Sequence, residues 1–246
     1  MTDDPAPAPT VAVFRPDDER TDDAVALLER LGTEPLPDPM LAVDPTGATP
    51  RGDADFTVLT SKTGVELAAE AGWTPGGAVC AIGEATADAL EAAGYEVDVL
   101  PETYSSTGLV DRLAGAVDGA RVEVARSDHG AQVLLDGLAD AGAYVHETVL
   151  YRLTRPERAG ASAERAAAGD LDAVLFTSSL TVKHFLAAAE ERGVREAAVA
   201  GLEAAVVATI GQPTADTAGA AGLDVDVVPA AADFETLARE TVAALE

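Results

Sequence analysis

Apolar and polar positions follow one another along this chain in blocks that occur twice. The stretch IGEATADALEAAGYEVDVLP begins at Ile82, and IGQPTADTAGAAGLDVDVVP begins at Ile210, 128 positions later and without a gap. Each copy reads as the end of an apolar strand, a polar turn, an Ala-rich helix closed by Gly, and a second short strand. The pattern therefore predicts one α/β unit that is used twice.

Two further pairs of segments extend the repeat. DFTVLTSKTGVELA at Asp55 matches DAVLFTSSLTVKHFLA at Asp172, and VAVFR at Val11 matches VEVAR at Val122. VAVFR precedes the first copy of the other segments, whereas VEVAR lies between their two copies. This order predicts two similar domains that are interleaved in the sequence.

Strands that alternate with helices predict parallel sheets with helices on both faces. We therefore predict an α/β fold of two similar parallel-sheet domains joined by a two-stranded linker. Residues 1–38 and 153–246 form one discontinuous domain, residues 44–148 form the inserted domain, and residues 39–43 and 149–152 are the linker strands. Ligands of open α/β sheets bind beyond the carboxyl ends of strands, so we expect the active site in the interdomain cleft.

The individual elements follow from the same pattern. Besides these repeats, the prolines of residues 34–43 exclude a central strand and leave an extended connector or an edge strand. Residues 44–53 are predicted to be a loop. The other predicted strands are 10–14, 56–60, 121–125, 144–153 and 173–176, and the other predicted helices are 22–31, 64–71, 109–116, 131–141, 182–192 and 234–245.

The charge is strongly negative, at −27, with two lysines among the 16 basic residues. Such a surface repels nucleic acid and anionic membranes, so we expect neither as a partner. We interpret the charge as an adaptation to molar internal salt, which screens self-repulsion. No apolar run is long enough to span a membrane, and the acidic, Pro-rich start does not resemble a signal peptide, so we expect a soluble, cytoplasmic protein.

Cysteine and histidine offer little chemistry. Cys80 is the single cysteine, which excludes an internal disulfide, and its apolar strand predicts a small buried hydrophobic residue. The three histidines have no ligand spacing, so we expect no metal site. The motifs GxGxxG, GxxxxGK[ST] and GxSxG are also lacking, which argues against dinucleotide, nucleoside triphosphate and acyl-transfer chemistry.

Four strand-to-helix turns carry the candidate binding groups. Turns rich in Gly, Ser and Thr present N–H and hydroxyl groups at the positive ends of helices, where carboxylates or phosphates bind. Thr86 and Thr214 are also interpreted as helix caps, and capping is compatible with binding. The candidates in these turns are Ser61, Gly83, Thr86, Ser178, Ser179, Gly211 and Thr214.

Three cationic side chains and one tyrosine complete the candidate site. Arg15 and Arg126 end matching strands, and Lys62 begins a helix beside a Thr-Ser turn. Placement on the surface is the alternative for each of them. Tyr151 lies in the second crossing strand, where it is either a weak acid facing the cleft or a packing residue.

Taken together, these segments resemble the uroporphyrinogen-III synthase family across residues 11–245. The motifs that carry the resemblance are VLTSKTGVE, AIGEATADALEAAGY, VEVARSDHG, ETVLYRLTRP, VLFTSSLTVKHF and TIGQPTADTAGAAGL, in this order. The resemblance implies a cofactor-independent lyase that converts hydroxymethylbilane to uroporphyrinogen III, with loss of water and inversion of ring D. It also implies a place on the way to haem, sirohaem and corrinoids, and we expect a monomer.

The resemblance assigns roles to particular residues. The family's linker tyrosine matches Tyr151, its serine after the second apolar strand matches Ser178, and its threonine in the last Gly-x-x-Thr turn matches Thr214, with Thr86 as the counterpart. Pro213 is a departure, because it removes an N–H from this turn. Two alternatives stay open: a hinged ligand-binding or regulatory module without turnover, and a glycosyltransferase, which should show clearer phosphate-binding glycines.

Overall fold

A computed structural model describes residues 7–16 and 19–245. Its strands, in chain order, are β1 (Thr10–Phe14), β2 (Glu34–Pro37), β3 (Ala42–Pro45), β4 (Phe56–Leu59), β5 (Ala78–Ala81), β6 (Arg121–Ser127), β7 (Tyr144–Thr154), β8 (Ala173–Phe176) and β9 (Val206–Thr209). Its helices are α1 (Glu19–Arg30), α2 (Lys62–Glu70), α3 (Glu84–Ala92), α4 (Ser106–Leu113), α5 (Gln132–Asp140), α6 (Ala161–Ala168), α7 (Ser179–Glu191), α8 (Arg195–Leu202), α9 (Gln212–Ala220) and α10 (Phe234–Ala244).

The chain divides into two compact units. The discontinuous unit consists of Met1–Ala42 and Thr154–Glu246, and the inserted unit consists of Val43–Leu153. Each unit contains its own sheet with helices, and β1 with β2 and β8, β8 with β9, β4 with β5 and β6, and β6 with β7 all pair in parallel. The predicted α/β class is therefore confirmed.

The sheet of the discontinuous unit has the strand order β2-β1-β8-β9. All three neighbouring pairs are parallel, and an isolated bridge from Ala208 to Val227 continues the sheet beyond β9. β2 lies at the edge, because Pro35 and Pro37 cannot donate a backbone hydrogen bond to a second neighbour. The edge-strand interpretation of this segment is confirmed.

The sheet of the inserted unit has the order β3-β7-β6-β4-β5. A parallel bridge from Cys80 to Val99 continues it beyond β5, as the corresponding bridge does beyond β9. In both units an aspartate carboxylate fixes the segment that forms this bridge. Asp98 accepts a hydrogen bond from the N–H of Val79, and Asp226 accepts one from Val207, each at 2.8 Å. The sequence repeat is thus a repeat of hydrogen bonds as well.

Both faces of each sheet are buried under helices. In the discontinuous unit, the rings of Phe14, Phe176 and Phe185 pack together, with centroids 4.9 to 5.7 Å apart. In the inserted unit, Cys80 is fully buried among aliphatic side chains. Burial raises the pKa of its thiol to about 12, so the thiol stays neutral, as predicted for a small buried hydrophobic residue.

Two helices of the discontinuous unit, α6 and α8, are missing from the predicted elements. α6 is anchored at its start by the buried carboxylate of Asp38. This carboxylate accepts hydrogen bonds from the backbone N–H groups of Gly160 and Ser162 and from the Ser162 hydroxyl. Gly160 has a φ of 116°, a conformation that favours glycine. None of the described helices is both long enough and apolar enough to cross a membrane.

Candidate functional site

Four helices begin directly after the carboxyl ends of parallel strands. In the inserted unit β4 leads into α2 and β5 into α3, and in the discontinuous unit β8 leads into α7 and β9 into α9. The positive ends of these helices therefore lie at the same edge of each sheet, where ligands of open α/β folds bind. All seven candidate residues of the Gly, Ser and Thr turns lie in these four connections or in the first turn of the helix that follows.

The two turns of the repeat that begins at Ile82 and Ile210 leave their helices without a side-chain cap. α3 begins after Gly83 and α9 after Gly211, and neither helix has a hydrogen bond from an N-cap side chain. Glycine at this position leaves the first N–H groups of the helix open to an external acceptor. The repeated turn thus has the geometry of an anion-binding site in each unit.

The interpretation of Thr86 and Thr214 as helix caps is wrong. Each is the third residue of its helix, and its backbone N–H bonds back to the glycine carbonyl, at 3.1 Å for Thr86 and 3.0 Å for Thr214. The chain is already helical one residue after the glycine, which places both threonines inside the first turn. Their side chains are 5% and 4% exposed.

Serine caps close the two other helices. Ser61 is the N-cap of α2, and its Oγ accepts a hydrogen bond from the N–H of Gly64 at 3.0 Å. Ser178 is the N-cap of α7 and forms a capping box with Thr181. The two caps differ in one contact: Ser61 Oγ also lies 3.0 Å from the hydroxyl oxygen of Tyr151.

An irregularity in β7 directs Tyr151 toward this serine. Arg126 pairs with Val149, but Ser127 pairs with Tyr151, so Leu150 is an additional residue in β7. In a regular strand, neighbouring side chains point to opposite faces. Here Leu150 and Tyr151 both pack into the core beneath α2 and α3. Tyr151 is 6% exposed, and its hydroxyl reaches the first turn of α2.

The side chain of Arg126 is bonded to groups of the protein itself, which the sequence did not predict. Its side chain is buried, its Nε lies 2.6 Å from a carboxylate oxygen of Glu147, and its Nη1 donates to the carbonyl of Ala131 at 2.7 Å. The predicted role of Arg126 in ligand binding is therefore not retained, because its guanidinium is occupied by protein groups. It holds the connection between β6 and α5.

The two other candidate cations differ in exposure. Arg15 stacks over the ring of Phe234, with 4.7 Å from the guanidinium carbon to the ring centroid. It lines a cavity of ≈ 330 Å³, where it is joined by three further arginines. Lys62 is 70% exposed and forms an ion pair with Glu66 at 3.6 Å. The arginines of the cavity are Arg15, Arg20, Arg30 and Arg239.

Ser179 joins the first turns of α7 and α9. Its hydroxyl donates to the carbonyl of Pro213 at 2.9 Å and lies 2.9 Å from the hydroxyl of Thr217, which donates to it. Pro213 is the second residue of α9 and has no N–H. The N–H group that Pro213 lacks would therefore have belonged to the first turn of α9.

Two features of the inserted unit's edge were missed from the sequence. The exposed Tyr104 packs over Gly83, where an added Cβ would meet the Cβ of Tyr104 at 3.2 Å, whereas a Cβ added at Gly211 would meet no atom within 4 Å. Asp128 lies beside His129 after β6. Burial alone would raise the Asp128 pKa, but hydrogen bonds from His129 and the Leu153 N–H outweigh it and hold the pKa below its usual range. An aromatic residue next to a helix start was the available signal for Tyr104.

A second cavity, of ≈ 790 Å³, lies at the opposite edge of the inserted sheet. It adjoins the amino ends of β4, β6 and β7 and contains the pair Glu123 and His146, 2.7 Å apart. We do not assign ligand binding to it, because the helices start at the other edge. Within residues 7–16 and 19–245, no group of three His, Cys, Asp or Glu side chains is arranged to hold a metal ion.

The chain is similar to known proteins over most of its length. Residues 22–239 match the family model described as "Uroporphyrinogen-III synthase HemD". A candidate uroporphyrinogen-III synthase of Methanothermobacter thermautotrophicus is 33% identical over 221 residues, which cover 83% of this chain and 86% of that protein.

Two solved structures share the fold. The crystal structure of a mutant uroporphyrinogen III synthase from the extremely thermophilic bacterium Thermus thermophilus has a TM-score of 0.67 and 21% identity, and the match covers 97% of this chain and 99% of that one. The crystal structure of uroporphyrinogen-III synthetase from Helicobacter pylori has a TM-score of 0.65 and 16% identity, with coverage of 97% and 100%.

Proposed function

Since the chain belongs to the uroporphyrinogen-III synthase family, we propose that it cyclises hydroxymethylbilane to uroporphyrinogen III. The reaction releases water and inverts ring D, and it uses no cofactor. The substrate is a flexible linear tetrapyrrole with eight carboxylates. The protein must therefore bind many negative charges and hold one geometry of closure among several.

The observation that carries this proposal is the pair of uncapped helix starts at Gly83 and Gly211. Each is the positive end of a nine-residue helix, where a substrate carboxylate is stabilised, although Pro213 leaves α9 with one N–H group fewer than α3. Arg15 and Lys62 add positive charge at the same sheet edges. Backbone groups suit a substrate of this kind, because they bind carboxylates without the flexibility of long side chains.

The chemistry makes modest demands on the protein. The electron-rich pyrrole that bears the hydroxymethyl group drives departure of its oxygen as water and becomes an azafulvene. The exocyclic carbon then bonds to the substituted carbon of ring D, giving a spiro intermediate. That intermediate fragments at the neighbouring methylene bridge and recloses with ring D inverted, and a proton is finally lost. Holding the ends of the chain together is catalysis by positioning.

We assign the acid of the dehydration step to Tyr151. A phenol is neutral at pH 7, so it can give a proton to the departing hydroxyl, and the proton lost at the end of the reaction restores it. The substrate-binding residues that we propose are Arg15, Lys62, Gly83, Thr86, Ser178, Ser179, Gly211 and Thr214, and Ser61 takes part in the site through its contact with Tyr151.

The test is to add the protein to freshly made hydroxymethylbilane in molar KCl and to separate the oxidised products by chromatography. We expect the type III isomer. The control is the same protein after irreversible thermal unfolding, which should leave only the type I isomer of spontaneous closure. A native protein that binds the bilane but yields only type I would instead be a ligand-binding module.

We also propose the cellular setting. The charge of −27 supports a cytoplasm with molar salt, and we propose that the protein acts there as a monomer. Its product then enters the synthesis of haem, sirohaem or corrinoids.

A further inference from the structure

The Ser61 hydroxyl takes part in two contacts that together use most of its hydrogen-bonding capacity. A serine hydroxyl has one proton to donate and two lone pairs that accept. The Gly64 N–H, 3.0 Å away, donates to Ser61 Oγ and occupies one lone pair. The second contact, 3.0 Å to the Tyr151 hydroxyl oxygen, is made either with the other lone pair or with the serine proton.

The direction of this second hydrogen bond decides what Tyr151 can do. If Tyr151 donates to Ser61, its proton is held by the protein. If Ser61 donates to Tyr151, the phenol proton is free for a ligand. In the second case the serine proton also stabilises the phenolate that remains after proton transfer.

We propose that Ser61 is a positioning residue that donates to Tyr151 and thereby presents the phenol proton to the substrate. This inference rests on the proposed function. The serine is fixed by the α2 cap, so the donor is aimed before the substrate arrives. When the carbon–oxygen bond of the hydroxymethyl group breaks, the phenol proton moves to the departing oxygen. The Ser61 hydroxyl and the positive end of α2 then stabilise the phenolate.

The chain contains a matched serine cap without a phenol. Ser105 caps α4, and its Oγ accepts from the N–H of Gly108 at 3.0 Å, the same spacing and distance as for Ser61. Ser105 and Ser61 therefore have the same capping role in one unit. They differ in the contact with Tyr151, so loss of Ser105 measures the cost of losing a cap alone.

The experiment compares kcat and KM of Ser61→Ala, Ser61→Thr, Ser105→Ala and Tyr151→Phe with those of the wild type, together with each variant's folded fraction. Ser61→Ala should lose at least as much stability as Ser105→Ala, because it also removes the contact with the buried Tyr151 hydroxyl. Ser61→Ala should lower kcat about tenfold further than Ser105→Ala, within the contribution of a general acid, and change KM by less than about twofold. Ser61→Thr keeps the hydroxyl and should retain most of the wild-type kcat.

The double variant of Ser61→Ala with Tyr151→Phe separates this role from a structural one. If Ser61 acts through the phenol, removing the serine from the Tyr151→Phe enzyme should lower kcat no further than the loss of a cap does. Full additivity of the two effects, or equal kcat for Ser61→Ala and Ser105→Ala, overturns the inference while the proposed function stands. A wild-type protein that forms no type III isomer overturns both.

Discussion

Tyr151 owes its position to one additional residue in β7. Because Ser127 pairs with Tyr151 and not with Leu150, both hydrophobic side chains face the same core and the phenol reaches Ser61. A strand bulge is a means of redirecting a side chain, and such bulges occur beside active sites. Strict alternation along YVHETVLYRL does not predict this direction.

Replacing Tyr151 by Phe should lower the rate and keep the product. The variant retains the ring and its packing but has no proton to donate. The loss of kcat should be partial, within or below the roughly 10²–10⁴-fold of general acid catalysis, because the pyrrole itself expels water. Product chromatography should still give the type III isomer. Closure at the wild-type rate by the folded variant would show that Tyr151 is not the acid.

Replacing Thr214 by Val tests binding without the complication of a lost cap. Gly211 is the N-cap, so the change should cost less than about 1 kcal/mol, the usual cost of losing a cap. If the hydroxyl binds substrate, kcat/KM should fall more than the folded fraction does. The control is Thr241→Val, which removes a buried hydrogen bond to the Leu237 carbonyl. It should lose stability but keep its activity per folded molecule.

Sequence patterns located the candidate turns but not the partners of every side chain in them. The positions of Ser61 and Ser178 follow directly from the strand-to-helix pattern. The ion pair between Arg126 and Glu147 does not follow from that pattern, because it depends on the register of β6 and β7. The contact of Tyr104 with Gly83 depends on how the segment between α3 and α4 folds back onto the start of α3, and a local sequence pattern does not specify this.

At the scale of elements, most strands and helices could be predicted, because each has a regular pattern of apolar residues that is bounded by a glycine or a helix-capping residue. α6 and α8 were missed. ASAERAAA and REAAVAGL are short and alanine-rich, so their apolar periodicity is weak. α6 also depends on Asp38, which lies 122 positions from Gly160 in the chain.

Asp38→Ala should therefore destabilise the discontinuous unit. The change leaves the buried N–H groups of Gly160 and Ser162 without an acceptor, at a cost of about 1–3 kcal/mol in the free energy of unfolding. The control is Asp44→Ala, which removes an equal charge from an exposed position. Thermal unfolding in molar KCl measures both. Equal stabilities of the two variants would mean that Asp38 does not anchor α6.

At the scale of the whole molecule, the two units share a pattern but not their details. The bridges Cys80–Val99 and Ala208–Val227 are equivalent, whereas the phenol contact of Ser61 has no counterpart at Ser178 among the described contacts. The repeat thus supplies a similar helix start twice. The tyrosine then makes the inserted unit chemically distinct, as a substrate with different ends requires.

The charge of the molecule predicts that its stability depends on salt. Lowering KCl from molar to about 0.1 M lengthens the screening distance from roughly 3 to 10 Å, so the repulsion among acidic groups increases. The melting temperature should fall across this range. An unchanged melting temperature would contradict the proposed adaptation to molar salt and leave the enzymatic proposal intact.

The most direct test of the central claim is to follow two carbon atoms of the substrate. Hydroxymethylbilane is prepared with ¹³C in the hydroxymethyl carbon and in the ring D carbon that bears the methylene bridge. Inversion of ring D bonds these two atoms to each other, so ¹³C NMR of the product formed in molar KCl should show a one-bond carbon–carbon coupling. A product without that coupling, the same as the one formed in buffer alone, would contradict the assignment as a uroporphyrinogen-III synthase.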